Sequence, residues 1–160
     1  MDFSHSERAK SLMKQVNAFM QEHVLPLEEE FLKDAQQNNP YWKDWTVSPK
    51  IEALKEKAKE QKLWNLFLPD PAYGGLSNSD YAPLAELMGQ TPIAAEIFNC
   101  NAPDSGNMEV LWKYGSAEQK EQWLTPLLNG EIRSAFCMTE PDVASSDATN
   151  MRATITDQGE

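Results

Sequence analysis

Phe136-Cys137-Met138-Thr139-Glu140-Pro141-Asp142-Val143-Ala144-Ser145-Ser146-Asp147 is the stretch on which the reading of this 160-residue chain turns. From residue chemistry alone, positions 131–139 lack helical spacing and suit an extended strand, which Pro141 then interrupts. The loop that follows is rich in small hydroxyl residues. Such a loop can offer backbone N–H groups and hydroxyls to an anion such as a pyrophosphate. The same letters also make an ordinary Asp/Ser-rich turn. Downstream, Arg152-Ala153-Thr154-Ile155-Thr156 alternates like a second strand before a turn at Asp157-Gln158-Gly159. One or two strands are not independently stable, so the β part reads as unfinished.

Upstream of this stretch the pattern is helical throughout. From Ser6, the positions Leu12, Val16, Phe19, Met20, His23 and Leu27 recur at three- and four-residue steps on one face. Pro26 should kink or divide that helix, since it removes a backbone donor. The aromatic run Pro40 to Trp45 reads as a loop packed by its rings. Ser48-Pro49 supplies a capping hydroxyl and a first-turn proline for a helix whose buried face is Ile51, Leu54 and Ala58. Lys55, Lys57, Lys59 and Lys62 read as exposed, solvating groups. Gly74-Gly75 marks a tight turn; no phosphate-loop pattern surrounds it. Tyr81 to Met88 and a segment capped by Thr91-Pro92 are short helices. Pro103 opens another, closed by Gly115. Ser116 to Gln119 is a capping box for the last helix, which stops at Asn129-Gly130. The chain therefore divides into an all-α domain over 1–130 and the beginning of a β domain over 131–160.

Composition removes several classes of function. There are 25 acidic against 14 basic residues, a net charge of -11. That disfavours nucleic acid and anionic membrane surfaces as partners. No apolar run approaches the roughly 18 residues of a membrane span, and the charged N-terminus carries no secretory signal. Cys100 and Cys137 are distant and show neither CxxC nor paired-His spacing, so no metal site and no disulfide framework is expected. A reducing compartment is the default, cytoplasmic if the source is bacterial. With two histidines, His5 and His23, no Ser-His-Asp arrangement can be assembled. His23 reads as a packed imidazole rather than a ligand.

The string Cys137 to Asp147 resembles the signature of the acyl-CoA dehydrogenase family: a small residue, an apolar one, Thr-Glu-Pro, a short loop, then Ser-Asp. Leu63-Trp64-Asn65-Leu66-Phe67-Leu68-Pro69 with Tyr73-Gly74-Gly75-Leu76 is similar to the family's apolar-proline, tyrosine-glycine-glycine segment. Tyr114 to Lys120, followed by Trp123-Leu124 and Leu127 to Glu131, is similar to its helix-cap-helix element. The resemblance covers nearly the whole chain in family order. One departure stands out. The family commonly has Gly-Ala-Gly between Thr-Glu-Pro and Ser-Asp, whereas Asp142-Val143-Ala144-Ser145 is one residue longer and lacks glycine. With Asn101-Ala102-Pro103-Asp104 and Gly106 to Val110, this is similar to the branch of family members ten and eleven.

The resemblance implies a mainly α fold, an N-terminal helical domain followed by the first strands of a β-barrel domain. It implies FAD as cofactor and an acyl-CoA thioester as substrate, oxidised to the trans-2-enoyl-CoA by α-proton abstraction and β-hydride transfer. It places Phe136 beside flavin and acyl chain, and Cys137, Met138 and Thr139 along the flavin ring. Ser146, or Ser145, would meet the flavin pyrophosphate and the CoA portion, while Glu140 holds the turn. The catalytic base belongs to a C-terminal helical domain outside these 160 residues, so this portion alone is expected to be inactive. Homo-oligomers, either dimers or tetramers, and electron-transfer flavoprotein as acceptor are further implications. Two alternatives remain: a non-catalytic helical interaction module of the same ancestry, and an oxidase of the acyl-CoA or nitroalkane type.

Overall fold

The computed structural model describes residues 4–37, 48–144 and 146–159, and for 34–37 the backbone only. The aromatic run at 40–45 and Ser145 lie outside the described residues.

Helix α1 spans Glu7–Phe19 and starts on Ser6, whose hydroxyl accepts the Ala9 N–H at 3.1 Å. It continues through a π turn at Met20–Val24 and a 3-10 turn at Leu25–Leu27 into α2, Glu28–Gln37. Pro26 explains this change of register. Its ring crowds the carbonyl four residues back and it has no N–H to give, so the helix widens just before it. The Leu25 N–H bonds the Met20 carbonyl, five residues away. The same device recurs at Pro126, where a π turn at Lys120–Leu124 precedes the proline and the Thr125 N–H reaches the Lys120 carbonyl.

Helix α3 spans Pro49–Glu60. Its start at Ser48 is the expected one, but the Ser48 hydroxyl makes no capping bond. The Ser48 carbonyl instead receives the N–H groups of Ile51 and Glu52. The remaining helices are α4 (Asn78–Met88), α5 (Pro92–Ile97), α6 (Asp104–Tyr114), α7 (Ala117–Gln119) and α8 (Thr125–Asn129). Ser116 and Gln119 form the reciprocal capping box. Gly130, at φ 73°, closes α8 in the left-handed region that glycine favours. Gly75 is required for a different reason: a Cβ there would lie 1.5 Å from the Leu68 carbonyl oxygen.

Two apolar clusters form the core. The larger joins Phe19, Met20 and Val24 to Ile51, Leu63, Leu84, Met88, Ile97 and Phe98, with the Phe19 and Phe98 rings 5.3 Å apart. The smaller gathers Phe67, Leu68, Met108, Leu124, Leu127 and Leu128, with Leu111 and Ile132 against it. Each fully buried large side chain contributes about 2 kcal/mol of transfer free energy.

A polar junction ties the two. Trp64 Nε1 and Asn65 Nδ2 both donate to the Leu128 carbonyl, at 2.6 and 2.8 Å. Asn99 Nδ2 donates to Asn65 Oδ1 and to the Leu127 carbonyl. The end of α8 thus has its unpaired carbonyls satisfied by side chains. Asn65 and Asn99 both adopt positive φ (60° and 55°), a conformation asparagine tolerates better than other side-chain-bearing residues.

Beyond Gly130 the expected strands at 131–139 and 152–156 are not found. Among the described residues no strand is paired, and the ladder is limited to one antiparallel bridge between Glu140 and Val143. A strand exists only through its partner's hydrogen bonds, and among the described residues no neighbouring strand supplies them. The exposed alternation of 152–156, with Ile155 fully in solvent, follows from the same lack.

Candidate functional site

The signature segment leaves the helical body from a charged anchor. Glu96 on α5 and Asp104 at the start of α6 face Arg133 and Ser134. Asp104 Oδ2 accepts from Arg133 Nε at 2.6 Å. Its Oδ1 accepts both the Ser134 N–H at 2.7 Å and the Ser134 hydroxyl at 2.6 Å. Arg133 also grips Glu96 with both terminal nitrogens, at 2.7 and 3.0 Å. Glu96 in turn pairs with Lys55 of α3, which also bonds Glu52 at 2.8 Å. One turn along α6, Asn107 Nδ2 donates to Ser134 Oγ at 2.8 Å and to the Ala135 carbonyl at 3.3 Å.

Burial shapes the charges here. Asp104 is 4 % exposed. Desolvation pushes its carboxyl up, but the Ser134 and Arg133 bonds more than offset this and hold it below the usual range. Glu96 behaves alike: burial raises it, and Lys55, Arg133 and Asn101 bring it below the ordinary value. Desolvation would lower Lys55, yet Glu52 and Glu96 leave it raised. Lys55 therefore corrects the expectation of a solvating lysine: it is buried and paired. A surface-type charge pattern in sequence conceals it, because its partner Glu96 is 41 positions away on another helix. His23 packs edge-on against Phe19 and meets Lys57 Nζ at 3.1 Å, as a packed imidazole should.

Past the anchor, Phe136 is 69 % exposed, Cys137 and Thr139 are exposed and Met138 is half-buried. Among the described residues no hydrogen bond engages the backbone of Cys137, Met138 or Thr139. Glu140 ends the segment, its two carboxylate oxygens accepting the N–H groups of Arg152 (2.8 Å) and Ala153 (2.7 Å). Ser146 is exposed, and Asp147 caps the turn beyond it through Thr149. The structure thus gathers Phe136 to Thr139 on one run without regular secondary structure and puts Ser146 across a turn.

One concave surface bears on the site and a larger one lies apart from it. A groove of about 560 Å3 lies between α6, the π turn at 120–124 and residues 132–135, walled by Val110, Leu111, Trp123, Leu127 and Ile132. It ends at Ala135, the residue before Phe136, and is mostly apolar. A larger cleft of about 660 Å3, with Arg8, Lys59, Trp64 and Tyr73 in its walls, includes no residue of the signature. Among the described residues no group of three His, Cys, Asp or Glu could hold a metal. Burial pushes the Cys100 thiol up, away from a reactive thiolate. No helix among the described residues is long and apolar enough to cross a membrane.

A helical body that leads into a tethered Thr-Glu-Pro segment is the arrangement of an acyl-CoA dehydrogenase N-terminal domain. The chain belongs to the acyl-CoA dehydrogenase family: residues 6–131 match the family's N-terminal domain. It is 52% identical over 157 residues to acyl-CoA dehydrogenase family member 11 of Rattus norvegicus, covering 98% of this chain and 20% of that protein. It is also 52% identical over 159 residues to family member 10 of Mus musculus, covering 96% of this chain and 14% of that protein. A solved structure from Mycobacterium abscessus, assigned as an acyl-CoA dehydrogenase, superposes with a TM-score of 0.84 at 57% identity, over 92% of this chain and 38% of that one. The chain spans about a fifth of the length of the family-member-eleven relatives it matches.

Proposed function

We propose that these residues form one wall of an FAD-dependent acyl-CoA dehydrogenase that oxidises an acyl-CoA thioester to the trans-2-enoyl-CoA, a step of fatty-acid β-oxidation. The observation that carries the reading is the backbone of Cys137 to Thr139, which no hydrogen bond engages among the described residues, within a chain of this family. A flavin edge carries alternating donors and acceptors, and a segment with unengaged N–H and C=O groups can meet them. When bound, the flavin supplies the acceptor for the β-hydride.

The residues of this chain then bind and orient. Backbone groups of Cys137 and Met138, with the backbone and hydroxyl of Thr139, hold the ring edge. Phe136 covers ring and acyl chain, and the apolar groove beside it takes part of the acyl chain. Ser146, with Ser145 as the alternative, meets the pyrophosphate and CoA. Glu140 keeps the two sides of the turn together through the Arg152 and Ala153 amides. Within the segment Glu140 is engaged by those amides and Asp147 by Thr149, while Asp142 lies exposed on the turn. In this reading the base comes from outside these residues, as the family resemblance implies, and this portion alone is inactive. In the same reading residues 1–130 are the helical domain and 131–160 the start of the β domain, the intact enzyme is a dimer or tetramer, and electron-transfer flavoprotein accepts its electrons.

The test is made on the full-length protein. The expected result is a yellow protein whose flavin bleaches anaerobically on addition of acyl-CoA. A colourless protein would end the reading, and rapid peroxide release on turnover in air would turn it into an oxidase.

A further inference from the structure

We propose that Asp104 and Asn107 of α6 are positioning residues for the flavin-contact run, setting the register of Phe136 to Thr139 through Arg133, Ser134 and Ala135; this rests on the flavin reading above. Asp104 is almost fully buried and makes three bonds, all of them to residues 133 and 134. None caps its own helix. A buried charge is a costly way to gain stability, since apolar packing of the same volume does as well. What it supplies is a fixed geometry, with two oxygens that accept from a guanidinium, an amide and a hydroxyl at once.

Asn107 completes the clamp from the same face, one turn on. The Ser134 hydroxyl donates to Asp104 and accepts from the Asn107 amide, so both its roles are used. The Asn107 amide also holds the Ala135 carbonyl. Three consecutive residues are therefore fixed immediately before a run with no hydrogen bonds of its own. Each residue of a non-helical run can advance the chain by up to about 3.3 Å. A turn of the Ser134 peptide therefore displaces Met138 and Thr139 by ångströms, enough to misalign a ring edge.

The test compares Asp104→Asn and Ser134→Ala with Trp64→Phe in the full-length protein. Trp64→Phe removes the bond to Leu128 and lowers stability without touching residues 133–135. Asp104→Asn keeps the side-chain shape and loses the charge. Ser134→Ala is the milder variant should Asp104→Asn fold poorly. The readouts are the flavin absorption spectrum, the FAD dissociation constant, kcat against KM, and amide hydrogen exchange at 136–139.

Asp104→Asn and Ser134→Ala should weaken FAD binding about tenfold, shift the flavin bands, lower kcat more than KM changes, and speed exchange at 136–139. Trp64→Phe should lower the melting temperature and leave all four alone. A yellow parent whose Asp104→Asn and Ser134→Ala variants keep its spectrum, FAD affinity and kcat overturns the proposal alone. So does a Trp64→Phe variant that alters them equally. A parent without flavin overturns the functional reading and this proposal together.

Discussion

Up to Gly130 the chain gathers its buried apolar side chains in two joined clusters, whereas from Phe136 onward it is largely exposed, with turns and one 3-10 turn at Ala148–Asn150, and is held by carboxylates. The helical part is stabilised by non-directional burial, which tolerates modest errors of angle. The tail is held by a few directional bonds, at Asp104 and Asn107 on one side and at Glu140 on the other. Burial builds a body that persists; directional bonds at its edge aim a short run of backbone.

The largest effect should break the body itself. Phe98→Ala removes a ring at the centre of the larger cluster, against Phe19, and should cost about 4 kcal/mol in urea unfolding. The tail loses its anchor with it, so both regions should unfold in one transition. Asp104→Ala should cost about 2 kcal/mol, less than a fully buried pair, because Arg133 is half-exposed and can be resolvated.

The pH dependence sharpens the same point. Asp104 and Glu96 have lowered values in the fold. Their contribution is therefore present above the ordinary carboxylate range and lost as pH falls through the folded values. The melting temperature should drop as pH falls below about 4, under the ordinary carboxylate values, and Asp104→Ala should flatten that slope. Lys55 and Arg133 are raised, so their contribution persists through neutral pH and is lost only in strong alkali.

Smaller effects test the joints. Gly130→Ala places a Cβ 3.0 Å from the Trp64 ring at φ 73° and should cost about 1.5 kcal/mol by thermal unfolding. Glu140→Gln should change global stability by less than about 0.5 kcal/mol. Its mark is local: the Arg152 and Ala153 amides should exchange faster, with the helical amides unchanged. If the helical amides also speed up, the division into a buried body and an aimed tail is wrong.

Much of the helical body was legible before any coordinates. Ser6, the Ser116–Gln119 box, Gly115 and Gly130 mark helix ends through local chemistry, and Pro26 announces a break. Pro126 acts the same way, but its helix is short and its periodicity gives no warning. The anchor was not legible. Asp104 and Ser134 are 30 residues apart, Lys55 and Glu96 are on separate helices, and nothing local distinguishes these charges from solvated ones. The branch-specific Asn101 to Asp104 motif was visible as letters without a partner.

The amino-acid sequence by itself determined the helices, their caps, the breaks at proline and the family, because each depends on neighbours within a few residues or on motif order. The tertiary structure alone decided which charges are buried and which segments lack partners. Those depend on groups far apart in the chain, brought together only when the helices pack.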